Sequence, residues 1–315
     1  MSAATVSHHF CIAGLGVEIR FVGSAAAGSA CDSAAAGMCE LNSMALLPSF
    51  VPFATDRAEG QHLFCLTVDD SLRPTKGRHL IYDADTGNGI TRVFGTPDRG
   101  YEFIIRDVAG RSCALLQADQ MFADCRVALN GDRYMRAFGL NDALMLAFAF
   151  AGSYRQTALI HASTILHRGV GYPFIAASGT GKSTHSSLWM RYIEDSQLLN
   201  DDNPIVRLVD GQPIVCGSPW SGKTPCYRNL SAPLGAVTRI SRDTRNHIER
   251  LQPVQAFASL LPACSTMRWD GPIYDNLCTL VTRLVELVPI YTMHCLPDEQ
   301  AAHVCHQALT AKRTE

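Results

Sequence analysis

Pro173-Phe-Ile-Ala-Ala-Ser-Gly-Thr-Gly-Lys-Ser-Thr-His-Ser-Ser-Leu-Trp-Met-Arg-Tyr192 runs from an apolar segment through two glycines into a glycine-free stretch. The pattern predicts a strand at 173–177, a tight loop, and a helix from about 183 to 192. A loop of this kind leaves backbone N–H groups unpaired at a helix start, where the helix dipole also favours an anion. Gly179 and Gly181 let the chain curl without Cβ clashes. Lys182 adds a positive charge, and the Ser183 hydroxyl can ligate Mg²⁺. Ser178, Thr180 and Thr184 complete the candidate phosphate-binding set. Ala176 stands where the GxxxxGK[ST] pattern has its first glycine, and a positive φ there would strain alanine. The competing reading is a glycine-rich turn that merely starts a helix.

Working outward, phosphate chemistry needs carboxylates for metal and proton. Asp201-Asp202 follow an expected strand at 196–200, some twenty residues past Lys182, so the strand end can face the loop. Adjacent strand residues point to opposite sides, so a bend is required for both to serve one site. Alternatively the pair is a solvated turn. Upstream, His161 lies within an apolar strand at 158–166, either near the phosphates or as a packed, hydrogen-bonded histidine. Downstream, Cys216-Gly-Ser-Pro-Trp-Ser-Gly-Lys-Thr-Pro225 offers Lys223 for an anion and Trp220 to close over a substrate. A tight turn with a buried Trp is the plainer account. Arg239, at the end of a strand over 234–240, is a phosphate clamp by position or a surface ion pair.

The first part of the chain has a different texture. Short β-branched or aromatic runs at 10–21, 63–68, 79–82, 90–94, 101–105, 113–116 and 125–129 alternate with turn residues. They predict an antiparallel sheet and a β-rich N-terminal domain over 1–135. Residues 22–44, rich in Ala, Gly and Ser, read as a loop or a weakly specified helix. From 136 to 315 the elements alternate. A helix is expected at 141–151, capped by Asn141 and ended by Gly152. Leu277, Leu280, Val281, Leu284 and Val288 share one helical face. The fold class is therefore α/β, a mixed sheet carrying the glycine loop, preceded by the β-rich domain.

Bulk properties narrow the function. The 315 residues are 47% hydrophobic and 18% charged, with a formal net charge of −2, so a nucleic-acid protein held by phosphate contacts is not expected. No apolar run is long enough for a bilayer, and no signal peptide begins the chain. The twelve cysteines form no CxxC pair and read as buried free thiols, which places the protein in the cytoplasm.

His161-Ala-Ser, then Ser178-Gly-Thr-Gly-Lys-Ser-Thr184, then Asn200-Asp-Asp202 resembles the C-terminal domain of HPr kinase/phosphorylase, whose core is similar to that of phosphoenolpyruvate carboxykinase. The resemblance covers about 140–310. It looks closest to an uncharacterised bacterial group, with the phrases at 179–189 and 217–229. It implies a kinase using ATP or another nucleoside phosphate donor with Mg²⁺. Lys182 would contact the β and γ phosphates, and Ser183 and Asp201 would hold the metal. Asp202 would take the acceptor's proton, with His161 beside the site. The acceptor would be a hydroxyl-bearing small molecule, such as serine, or a peptide; Trp220, Lys223, Arg228 and Arg239 are candidate contacts for it. HPr kinases carry Glu after the loop Ser, whereas Thr184 stands here, as in the carboxykinases. The later glycine-rich segment that HPr kinases use with their protein partner is not found, so HPr itself is not implied. Two rivals stand beside the kinase: a carboxykinase-like lyase on an oxo-acid, and a non-catalytic nucleotide-binding module. Oligomeric state is open, a homo-oligomer included.

Overall fold

The computed structural model describes residues 5–23, 42–85 and 89–311. Most of the Ala/Gly/Ser-rich stretch, Cys31, Cys39 and part of the turn at 83–89 lie outside these. The chain divides into two compact units, Met1–Ala151 and Gly152–Glu315. Both are β-rich and mixed α/β. No helix among the described residues is long and apolar enough to cross a membrane.

The N-terminal unit is built on a nine-stranded sheet. Its strands are β1 (Thr5–Ile12), β2 (Leu15–Val22), β3 (Ala54–Thr55), β4 (Gln61–Val68), β5 (His79–Asp85), β6 (Ile90–Gly95), β7 (Tyr101–Arg106), β8 (Ser112–Ala118) and β9 (Asp124–Leu129). Their order is β3-β1-β2-β4-β9-β8-β7-β6-β5. The expected antiparallel sheet is corrected here: β2 with β4 and β4 with β9 run parallel. Turn spacing could not reveal this, because β4 is far along the chain from both partners, with residues 23–60 and 69–123 between them. Helix α1 (Arg133–Ser153) starts earlier than expected. Asp132, not Asn141, caps it by accepting from Met135 N at 2.9 Å.

The C-terminal unit carries a six-stranded mixed sheet in the order β13-β11-β12-β17-β19-β18. These are β11 (Ala162–His167), β12 (Val170–Ile175), β13 (Ser196–Asp202), β17 (Val237–Arg242), β18 (His247–Arg250) and β19 (Ile290–Cys295). Strands β12, β17 and β19 are parallel, so their C-terminal ends lie side by side. One face buries Ile165, Phe174, Ile240 and Met293 under α2 (Lys182–Tyr192) and α5 (Glu299–Thr310). The other buries Ala162, Ile175, Val237 and Ile290 against α3 (Pro253–Leu260) and α4 (Gly271–Leu287). A four-stranded sheet joins that second face: β10 (Thr157–Leu159), β14 (Ile205–Val209), β15 (Gln212–Cys216) and β16 (Ser231–Pro233). Alternation along each strand feeds the two layers, as Phe174 and Ile175 show.

One expected strand is split and another starts late. The run 158–166 becomes β10 and β11 in different sheets, and the run 234–240 begins only at Val237 in β17. The break places His161 at the junction, outside regular pairing and beside the end of β13. Ten cysteines fall among the described residues; all are free and most are buried.

Candidate functional site

The glycine loop leaves β12 at Ile175 and enters α2 at Lys182. Gly181 caps the helix with φ 125° and no side-chain hydrogen bond, so the first-turn N–H groups are left for solvent or an anion. Ala176 is not among the residues with positive φ, so alanine is unstrained where the pattern has glycine. Its carbonyl accepts from Lys182 Nζ at 3.1 Å, which folds the lysine back over the loop. Burial pulls the Lys182 pKa below its ordinary value, while Asp202 and then Asp201 oppose the shift.

The acidic pair sits at the end of β13, beside this loop. Ser183 Oγ donates to Asp201 Oδ1 at 2.9 Å, and Asp201 is 4% exposed. One strand position on, Asp202 also acts on Lys182, more strongly than Asp201 does. His161 Nδ1 lies 2.9 Å from Asp202 Oδ1, and Asn203 Nδ2 donates to Asp202 Oδ2 at 2.9 Å. A carboxylate only accepts, so Nδ1 carries the proton. The bend that the sequence demanded appears as an outlier: Asp202 has φ 130°, a conformation that costs about 1–3 kcal/mol in a non-glycine residue.

The 216–226 loop holds that bend. Asn200 Nδ2 reaches the Trp220 carbonyl at 3.0 Å and Ser218 Oγ at 3.2 Å. Asn200 Oδ1 accepts from Asn203 N at 3.0 Å, and Ser221 Oγ donates to the Asp201 carbonyl at 3.0 Å. Gly222 N donates to the same carbonyl. A Cβ at 222 would stand 3.1 Å from Asp202 Cβ, so this close approach favours glycine.

The four candidate substrate contacts do not converge. Trp220 is buried at 3% exposure, so its ring fills the loop and is not free to close over a substrate. That is the plainer of the two sequence readings. Arg228 Nη1 donates to Gln197 Oε1 at 2.6 Å. Lys223 is exposed, next to Gly222. Arg239 is exposed and pairs in register with Ile175, but it shares a sheet face with Val237, opposite the α2 layer.

Arg242 holds the loop instead. Its Nε donates to the Thr180 carbonyl at 3.1 Å and its Nη2 to the Gly179 carbonyl at 2.5 Å. Sequence reading missed it because the strand was ended at Ile240. Alternation from Ile240, which faces α2, would have selected residue 242 rather than 239.

Beside the loop is a cleft of about 380 Å³ over the ends of β17 and β19. Leu188, Ile240, Leu296 and Pro297 make it largely apolar, Thr180 and Thr184 border it on the loop side, and Arg242 and Asp243 bring charge to its lining. His185 forms part of its wall and is buried. Trp189 Nε1 donates to His185 Nε2 at 3.2 Å, and burial drives the His185 pKa down to about 4. The imidazole is thus neutral, with its proton on Nδ1, for which the described residues provide no partner.

No protein-family model matches the chain, and no curated protein matches it. Among solved structures, it is similar to the Hpr(Ser) kinase/phosphatase from Coxiella burnetii, with 13% identity and a TM-score of 0.28. The match covers 48% of this chain and 92% of that one. A likeness of that extent decides neither fold nor activity.

Proposed function

We propose that the C-terminal unit is a kinase that uses ATP, or another nucleoside triphosphate, with Mg²⁺ to phosphorylate a hydroxyl. One observation carries this reading: the acidic pair meets the glycine loop, with Asp201 hydrogen-bonded to Ser183 and Asp202 at the next position. A turn that only started a helix would not require two carboxylates at its first residues.

On this reading, residues 178–184 receive the phosphate tail through backbone N–H groups and the helix dipole. Lys182 gives up its contact with the Ala176 carbonyl to reach phosphate oxygens. Ser183 and Asp201 supply hard oxygen donors that suit Mg²⁺ and would hold it. The bound ion would neutralise phosphate charge. Asp202 takes the proton of the attacking hydroxyl, while His161 and Asn203 orient its carboxylate. The largely apolar cleft bordered by Thr180 and Thr184 has the size and lining for a nucleoside. Lys223, exposed in the 216–226 loop, is a candidate cation for an acidic acceptor.

The test is a transfer screen with γ-labelled ATP against free serine, other hydroxyl metabolites and peptides. Label appearing in a phosphate ester supports the kinase. Nucleotide binding without transfer to any acceptor supports the regulatory module instead. CO₂ exchange with oxaloacetate would indicate the lyase.

A further inference from the structure

We infer that Asp243, His247 and His294 form a site for a zinc-class divalent metal ion at the edge of the cleft beside the glycine loop, which Asp243 also lines; the inference does not rest on the kinase reading. The three residues come from adjacent strands. Asp243 follows β17, His294 lies near the end of β19, and His247 begins β18 directly opposite His294. One potential ligand atom from each lies within 4.8 Å of the others.

The Asp243–His294 spacing is that of two ligands about an ion. Two atoms each about 2.1 Å from a tetrahedral ion stand about 3.4 Å apart. His294 Nδ1 lies 3.6 Å from Asp243 Oδ2, too far for a hydrogen bond and close to that separation. The other nitrogen, Nε2, lies 3.5 Å from Glu249 Oε1. The ring thus stands between two carboxylates, Asp243 on the Nδ1 side and Glu249 on the Nε2 side. A carboxylate behind a ligating histidine is the usual orienting arrangement at metal sites. The rings of His247 and His294 stack at 4.4 Å with a 2° interplanar angle. Parallel stacking directs their in-plane lone pairs along separate planes, so one ring must turn out of the stack for both to reach the same ion.

The frame is pinned. Asp243 Oδ1 accepts from Thr244 N at 2.6 Å, and this bond first of all holds the carboxyl below its ordinary pKa. Asn246 Nδ2 donates to Asp298 Oδ1 at 2.9 Å, and Asn246 Oδ1 accepts from Leu296 N at 2.9 Å. The turn between β17 and β18 is thereby fixed to the segment after β19. Two imidazoles with one carboxylate favour zinc, nickel or ferrous iron over magnesium or calcium.

Co²⁺, a spectroscopic probe for zinc-class sites, tests this on the full chain. The expected result is one equivalent bound with a visible ligand-field band, no sulfur-to-cobalt charge-transfer band, and displacement by Zn²⁺. The double substitution His247→Gln/His294→Gln should weaken binding more than about 100-fold, and Glu249→Gln about tenfold, the size expected of an orienting partner. His303→Gln, which removes a histidine facing Glu299 on α5, should change nothing. If the double variant fails to fold by circular dichroism, Glu249→Gln decides. Absence of Co²⁺ binding, a thiolate band, or affinity unchanged in a folded variant would overturn the site.

Discussion

Ser183 Oγ donates to Asp201 Oδ1 across 2.9 Å, tying the first turn of α2 to the end of β13. This contact joins the glycine loop to the acidic pair, and it is the natural place for a metal to compete. Ser183→Ala removes one oxygen donor while leaving the exposed helix start intact. The Mg²⁺ concentration for half-maximal turnover should rise about tenfold, the worth of roughly 1.4 kcal/mol. An unchanged requirement in a metal titration would place the ion elsewhere.

Asp202 is argued to act on the acceptor rather than on the nucleotide. Asp202→Asn keeps a similar shape and should leave nucleotide affinity within about threefold while lowering turnover at least about 100-fold. Calorimetry and a transfer assay on the same preparation separate the two. Equal turnover in variant and wild type would remove Asp202 as the base.

Arg242 reaches the carbonyls of Gly179 and Thr180 from the end of β17. Without it the loop loses its outer clamp and must be ordered by the ligand. Arg242→Ala should raise the nucleotide KM about five- to tenfold, with kcat little changed, the pattern of lost binding shared by ground and transition states. A fall in kcat at constant KM would give the arginine a different role.

His185 makes stability depend on acid. Its folded pKa of about 4 lies below the ordinary 6.5 because burial disfavours the charged ring. The unfolded chain therefore binds the proton more tightly. The stabilising contribution is fully present above about pH 6.5 and is lost as pH falls towards 4. At full extent it amounts to roughly 3 kcal/mol. Urea melts of wild type and His185→Gln should converge as pH falls through that window. Parallel curves would show that this imidazole does not titrate with folding.

Much of the C-terminal unit was legible in the sequence because its signals are local. The apolar run at 173–177, the two glycines and the helix after them need only neighbouring residues, and Asp201-Asp202 follow from the next strand. What escaped was set by distant pairing. The parallel β2–β4 and β4–β9 pairs join segments far apart in the chain, which no turn residue announces. The break at Ile160–His161 arises because β10 pairs with β14 while β11 pairs with β12, a division invisible within one apolar run. Trp220 looked available because its loop is polar. Asn200, twenty residues upstream, gathers that loop's carbonyls and keeps the ring buried. The Asp243–His247–His294 group escaped for the same reason, since two of its members are separated from the third by helices α3 and α4.

The account depends on polyphosphate seating in the loop under Lys182. Titration calorimetry of ATP with Mg²⁺, on wild type and on Lys182→Ala, tests it most directly. A saturable heat in wild type and its loss in a variant with an unchanged circular dichroism spectrum is the predicted result. No heat in wild type, or equal affinity in the variant, would contradict it.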